Sequence, residues 1–221
     1  MRAEHNEGYL HSIQHPREGY SKSVRQQTGI PDGILRNTLT LPFNDAEAVV
    51  SLIEKHRNEL AAVIVEPVQR DLPPEPDFLE VLREVTERHG IVLIFDEVIA
   101  FRVGYHGAPE EARGNPGHYH EMIFLPCGAP EFNQRRLGVT PDITTLGKVI
   151  GSGFPVGAYA STEELMEPLA IPKAKFPEYR GPRLGFSGTF NAHPVTMAAG
   201  LAVLEELRPP VYDELDCTGR R

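Results

Sequence analysis

The sequence has few cysteines, no excess of basic residues and no long apolar run. Its two cysteines, Cys127 and Cys217, lie far apart without metal-ligand spacing, which argues against a disulfide framework. Lysine and arginine number 22 against 31 acidic residues, a formal net charge of −9, so we expect no nucleic-acid partner. No apolar run approaches the roughly 20 residues that cross a bilayer, and residues 2–7 are polar and charged. We therefore expect no membrane segment, no signal peptide and a cytoplasmic location.

Helix and strand patterns alternate in the amino-terminal half of the sequence. The composition, 40% hydrophobic and 24% charged, suits one α/β domain. Asn44 and Glu47 form a capping-box pattern that predicts the start of a helix. Two predicted strands, 61–65 and 91–95, flank a second helical pattern. Such alternation is typical of a parallel sheet.

Two acidic residues, Asp96 and Glu97, directly follow the apolar run 91–95. The run predicts a fully buried parallel strand, and open α/β sheets bind ligands at the carboxyl ends of their strands. A buried carboxylate there needs a cationic partner, and the pyridinium nitrogen of pyridoxal phosphate is one such partner. The alternative is an aspartate that caps the next helix.

Lys148 is the only basic residue in the apolar, glycine-rich stretch 144–158, which offers it no carboxylate partner. A lysine kept from water gives up its proton more readily, and a neutral amine can form a Schiff base with an aldehyde. The stretch therefore favours a lysine that carries a carbonyl cofactor. The alternative is an exposed lysine on a turn.

Small and hydroxyl residues, Gly188 and Thr189 among them, precede a third helical pattern that contains Met197, Leu201 and Leu204. Backbone N–H groups and a hydroxyl ahead of a helix suit a phosphate or a carboxylate. Ordinary N-capping of the helix explains the same composition, with the capping residue among Ser187, Thr189 and Asn191.

Four stretches, 60–68, 93–103, 138–158 and 188–207, together resemble the class III, fold-type I pyridoxal-phosphate-dependent aminotransferases. The similarity is greatest to the glutamate-1-semialdehyde 2,1-aminomutase branch and covers most of the chain from about Asn37. It implies the large domain of the aspartate-aminotransferase-like fold, a three-layer αβα sandwich with a mostly parallel sheet. It also implies a pyridoxal 5'-phosphate cofactor, a small amino or keto substrate and a homodimer with a shared active site.

The resemblance also implies roles for individual residues. Lys148 corresponds to the Schiff-base lysine, Asp96 to the partner of the pyridinium nitrogen, and Val98 to the residue that packs on the cofactor ring. Thr189 corresponds to a threonine that reaches the cofactor phosphate of the neighbouring subunit. Tyr9 corresponds to the aromatic residue that stacks on the ring. Lys148 and Asp96 are the expected catalytic residues.

Glu66 follows strand 61–65 as Asp96 follows its own strand. In related aminotransferases this glutamate pairs with an arginine that gates the substrate carboxylate, whereas the alternative is an acid that faces water. Residues 69–71 replace a small, glycine-containing loop of the aminomutase branch. The resemblance thus predicts transfer or intramolecular migration of an amino group and leaves transaminase and aminomutase both open.

Members of this family are much longer than 221 residues. We expect residues 1–208 to form a partial large cofactor-binding domain and 209–221 to begin a truncated carboxyl-terminal small domain. The family's phosphate-binding loop has no match in this chain, so the rival hypothesis is a catalytically inactive fragment that retains the fold core.

Residues 109–137 make up an insertion that we expect to be mobile because it is long and rich in glycine. His118, His120 and Glu121 are metal-ligating residue types, but their spacing is short and their surroundings are turn-like. We therefore expect a surface loop and no metal.

Overall fold

The computed structural model describes residues 31–69, 72–101, 137–169 and 188–208, together with positions 210, 211, 214, 217 and 218. The described helices are α1 (Asp32–Arg36), α2 (Ala46–His56), α3 (Phe78–Arg88), α4 (Glu163–Met166) and α5 (Pro194–Glu206). The strands are β1 (Ala62–Val65), β2 (Val92–Asp96), β3 (Ile143–Gly147) and β4 (Gly157–Ser161), with a 3-10 helix at Lys148–Gly151. None of the described helices has the length and apolar character needed to span a membrane.

The four strands form one mixed sheet in the order β1-β2-β3-β4. β1, β2 and β3 run parallel, and β4 pairs antiparallel with β3. The predicted parallel sheet is therefore confirmed. Asp96, expected just beyond its strand, is the last residue of β2 because it still pairs with Thr145 of β3.

Helices α2 and α3 pack against one face of this sheet and form the core with it. On β2, Leu93 and Phe95 are both 0% exposed, whereas their neighbours on the strand are only half-buried. The prediction of a fully buried strand is therefore wrong for the part of the chain that the structure describes. The reason is that the described helices α2 and α3 cover one face, and Ile64 on the other face of β1 is 57% exposed.

The amino-terminal cap of α2 differs from the predicted one. Asp45 is the N-cap, and its Oδ1 accepts a hydrogen bond from Ala48 N at 3.0 Å. Asn44 instead donates to Pro73 O at 2.8 Å and accepts from Glu75 N at 2.9 Å. The capping box predicted for Asn44 is thus wrong, because its side chain fixes a segment about thirty residues away along the chain.

Asp142, directly before β3, holds three elements together. Its Oδ2 accepts hydrogen bonds from Leu93 N of β2 at 2.6 Å and from Arg83 Nη1 of α3 at 3.0 Å. Its backbone N–H donates to Leu93 O at 2.8 Å, and its carbonyl oxygen accepts from Ser161 Oγ of β4 at 2.6 Å. These bonds fix the register of β3 against β2, which determines the residues that meet at the far edge of the sheet.

Candidate active site

Asp96 lies at the carboxyl end of β2 with one carboxylate oxygen held and the other open. Oδ1 accepts hydrogen bonds from Val98 N at 3.0 Å and from Thr145 Oγ1 at 3.3 Å. Within the described ranges, no donor bonds to Oδ2. Asp96 therefore caps a turn over residues 98–101 with one oxygen, whereas the alternative predicted the cap of a helix. Its second oxygen is left for another cationic or N–H group.

Lys148 follows β3 directly and begins the 3-10 helix with a φ of 48°. This left-handed backbone is uncommon outside glycine, and such residues cluster at functional sites. Among the residues that the structure describes, none makes a hydrogen bond or ion pair with Lys148 Nζ, in keeping with the lack of a carboxylate in its sequence stretch. Its side chain is exposed, however, as the alternative expected, so the predicted protection from water is wrong for the described part of the chain.

Val98 joins the Asp96 segment to the Lys148 segment. The glycine before the lysine, Gly147, is buried, and a Cβ added to it would lie 3.2 Å from Val98 Cγ1. The missing side chain lets Val98 pack directly onto the backbone of β3. Together with the pairing of Asp96 and Thr145, this contact places Asp96, Val98 and Lys148 at one edge of the sheet.

Glu66 lies at the same edge, one residue beyond β1. Val65 pairs with Phe95, so Glu66 is next to Asp96 in the register of the sheet. Glu66 is half-buried and interacts with other groups of the chain, which disfavours the alternative of an acid that faces only water.

No role was assigned to Glu97 or to Thr145 from the sequence. Glu97 is 0% exposed, and its backbone N–H donates to Thr145 O at 3.0 Å. A second acid directly after a buried strand was the available signal for Glu97. No sequence signal marked Thr145, because a threonine in a strand is ordinary and only the register brings it to Asp96.

Thr189 is exposed in a turn ahead of α5 and makes no hydrogen bond to Asp96. The N-cap of α5 is His193, whose side chain makes no capping hydrogen bond. The alternative in which Thr189 or Asn191 caps the helix is therefore wrong. The third candidate, Ser187, lies outside the described residues. Helix α5 packs against the 3-10 helix that begins at Lys148. The contact with the neighbouring subunit expected for Thr189 stays a prediction.

Several predicted residues lie outside the described part of the chain: Tyr9, His118, His120, Glu121 and Cys127. Within the described ranges, no three histidine, cysteine, aspartate or glutamate side chains are grouped so that they could hold a metal ion. The roles predicted for Tyr9 and for the insertion stay predictions.

The chemical groups at this edge fit pyridoxal phosphate. Asp96 Oδ2 is an acceptor for a pyridinium N–H, Lys148 Nζ is an amine without a described partner, and Val98 offers an apolar surface for a ring. The three groups lie at the carboxyl ends of parallel strands, which is where open α/β sheets bind ligands.

Comparison with known proteins also indicates a pyridoxal-phosphate-dependent family. The family model for aminotransferase class-III matches residues 12–107 and 130–215. A glutamate-1-semialdehyde 2,1-aminomutase 2 of Exiguobacterium sibiricum is 44% identical over 197 residues, which are 87% of this chain and 37% of the relative. The chain therefore spans well under half the length of the curated relatives it matches.

Solved structures show the same similarity. An omega-transaminase from Sphaerobacter thermophilus is 40% identical with a TM-score of 0.70, over 91% of this chain and 40% of that one. A transaminase with PLP bound is 33% identical with a TM-score of 0.66, over 89% of this chain and 39% of that one. An aminomutase and two transaminases are thus each similar to most of this chain.

Proposed function

Because this chain belongs to the class-III aminotransferase family, with the fold-type I architecture of that family, we propose that it carries out pyridoxal-phosphate-dependent amino chemistry. The substrate would be a small amino or keto compound, and the reaction would be transfer or intramolecular migration of the amino group. The observation that carries the proposal is the meeting of Asp96, Val98 and Lys148 at one sheet edge.

Asp96 would orient the cofactor through its ring nitrogen. Oδ1 is already held by two donors, so Oδ2 would accept from the ring N–H and keep that nitrogen protonated. When bound, pyridoxal phosphate withdraws electrons from the substrate carbon that bears the amino group, so that a proton on this carbon can be removed. Val98 would support one face of the ring, and Tyr9 is proposed to stack on the ring.

Lys148 would hold the cofactor covalently through Nζ and later carry a proton. When Nζ is not bonded to the cofactor, its free amine would be the general base that takes the proton from the substrate carbon. The exposure of Lys148 in the described chain leaves Nζ room to make this movement. Its left-handed backbone marks the change from β3 to the 3-10 helix at the site itself.

Glu66 is proposed to face the substrate. It lies beside Asp96 in the register of the sheet, so a substrate held over the cofactor would come close to its carboxylate. Glu66 would therefore disfavour a substrate carboxylate unless a cation lies between them, which agrees with the pairing to an arginine that the family resemblance implies.

Thr189 is proposed to bind the cofactor phosphate of a second subunit. Its exposure in a turn beside the helix that packs on the Lys148 segment is compatible with a contact across a dimer interface. We propose a homodimer in which each site uses residues of both chains, and a cytoplasmic location.

Titration of the 221-residue chain with pyridoxal phosphate tests the proposal. We expect a near-visible absorbance band that disappears in Lys148→Ala and persists in Lys55→Ala, in which an exposed lysine of α2 is removed. Adding an amino donor should convert the band in the unmodified chain and leave it unchanged in Asp96→Asn. No band in the unmodified chain would refute the proposal and favour the inactive-fragment hypothesis.

A second assay separates the two reaction types. An aminomutase converts glutamate-1-semialdehyde without a second substrate, whereas a transaminase needs a separate keto acceptor. Product formation from the semialdehyde alone would assign intramolecular migration to this chain. Product formation only after a keto acid is added would assign transfer.

A further inference from the structure

Thr145 is the only described side chain that donates a hydrogen bond to the Asp96 carboxylate. Its Oγ1 lies 3.3 Å from Asp96 Oδ1, and the two residues are register partners on β3 and β2. The other donor to the same oxygen, Val98 N, belongs to the backbone that follows Asp96. Thr145 therefore adds a donor from a different strand.

The two donors fix the rotation of the carboxylate. Val98 N alone leaves the plane of the carboxylate free to tilt, because a single acceptor contact does not define that plane. A second donor from the adjacent strand restricts it and keeps Oδ2 turned away from both. Threonine is branched at Cβ, so its χ1 is restricted in a strand and its hydroxyl is ordered at small entropic cost.

Thr145 also connects Asp96 to the lysine segment. It lies on β3, three residues before Lys148, and its carbonyl oxygen accepts a hydrogen bond from Glu97 N at 3.0 Å. The side chain and the backbone of one residue thus bind both acidic residues at the carboxyl end of β2, Asp96 and Glu97. A change at Thr145 would alter the position of the acid relative to the lysine.

We propose that Thr145 is a positioning residue that aims Asp96 Oδ2 at the cofactor nitrogen. This inference rests on the proposed function and adds a residue to it. Thr145 does not touch the reacting atoms. It acts through Asp96, so its loss should weaken cofactor binding without removing the attachment to Lys148.

The test measures the dissociation constant of pyridoxal phosphate for variants of the 221-residue chain. Thr145→Val keeps the volume and the Cβ branch but removes the hydroxyl, and we expect it to weaken binding about tenfold, the effect of one hydrogen bond to a charged group. Thr145→Ser keeps the hydroxyl and should bind like the unmodified chain. Thr144→Val removes a hydroxyl from the opposite face of the same strand and should also bind normally.

Thermal unfolding of the cofactor-free variants separates positioning from folding. We expect Thr145→Val to unfold at the temperature of Thr145→Ser, since both keep the strand. Normal binding by Thr145→Val, equal weakening in Thr145→Ser, or equal weakening in Thr144→Val would each overturn the inference. An unmodified chain that does not bind pyridoxal phosphate would overturn the proposed function and this inference with it.

Discussion

Adding one methyl group at Gly200 should separate α5 from the lysine segment. Gly200 is buried in the middle of α5, where the helix crosses the 3-10 helix that begins at Lys148. A Cβ added there would overlap the carbonyl oxygen of Ile150 and lie within 3.9 Å of Gly151 Cα. Both are backbone atoms, so no side-chain rotation can relieve the overlap in Gly200→Ala.

Gly200→Ala should lower the free energy of unfolding, although helix propensity alone predicts that it would raise it. Alanine in place of glycine in a helix interior stabilises by about 1 kcal/mol. Overpacking against groups that cannot move costs about 1–3 kcal/mol. Taking the middle of that range, Gly200→Ala should lose about 1 kcal/mol of folding stability. This loss corresponds to a thermal unfolding midpoint about 2–4 °C lower for a chain of this size.

Thermal unfolding followed by circular dichroism measures this change. Ala202→Gly, at an exposed position of the same helix, is the matched control, and we expect it to lose about 1 kcal/mol through propensity alone. The near-visible band of the chain with pyridoxal phosphate should weaken in Gly200→Ala and not in the control. A higher unfolding midpoint for Gly200→Ala would refute the close approach of α5 to the 3-10 helix.

Two further changes test contacts away from the candidate site. Asp142→Ala should lower the free energy of unfolding in urea by about 2 kcal/mol, because Leu93 N and Arg83 lose their acceptor. Asp142→Asn keeps an oxygen for Leu93 N and should lose less. Equal losses in the two variants would contradict this account. Glu54 pairs with His89, with 3.0 Å between Oε2 and Nε2, and this contact is the main cause that lowers the pKa of Glu54 from 4.5. The stabilising effect of Glu54 is therefore present at neutral pH and lost as the pH falls through that lowered pKa. Glu54→Gln should therefore unfold at a slightly lower temperature than the unmodified chain at pH 7. This difference should shrink as the pH is lowered below 4.5, and a difference that does not shrink would count against the pairing.

The parallel sheet and the position of Asp96 could be predicted because they depend on local patterns. An apolar run followed by acids determines a strand and the residue at its end. Lys148 could be singled out in the same way, from its isolation among apolar and glycine residues. Its exposure could not, because the water around a side chain depends on which distant segments cover it.

Other features depend on contacts between distant segments. Asn44 and Asp45 are both favourable capping residues, and the bonds from Asn44 to Pro73 and Glu75 decide between them. Thr145 acquires its role only through the register of β3 against β2.

In helix α5 the large apolar residues do not mark the buried face. Met197, Leu201 and Leu204 are 44%, 58% and 45% exposed. The buried positions of the helix are Thr196 and Gly200, four residues apart and therefore on one side. Small residues mark the packed side because the helix lies so close to the backbone of the 3-10 helix.

Covalent trapping tests the central claim most directly. The chain is incubated with pyridoxal phosphate, reduced with borohydride and digested, and mass spectrometry locates the attached cofactor. We expect the label on the peptide that contains Lys148 and not on the exposed Lys55, although both side chains are accessible to the reagent. Label spread over both lysines, or absent from Lys148, would contradict the assignment of this sheet edge as a cofactor site.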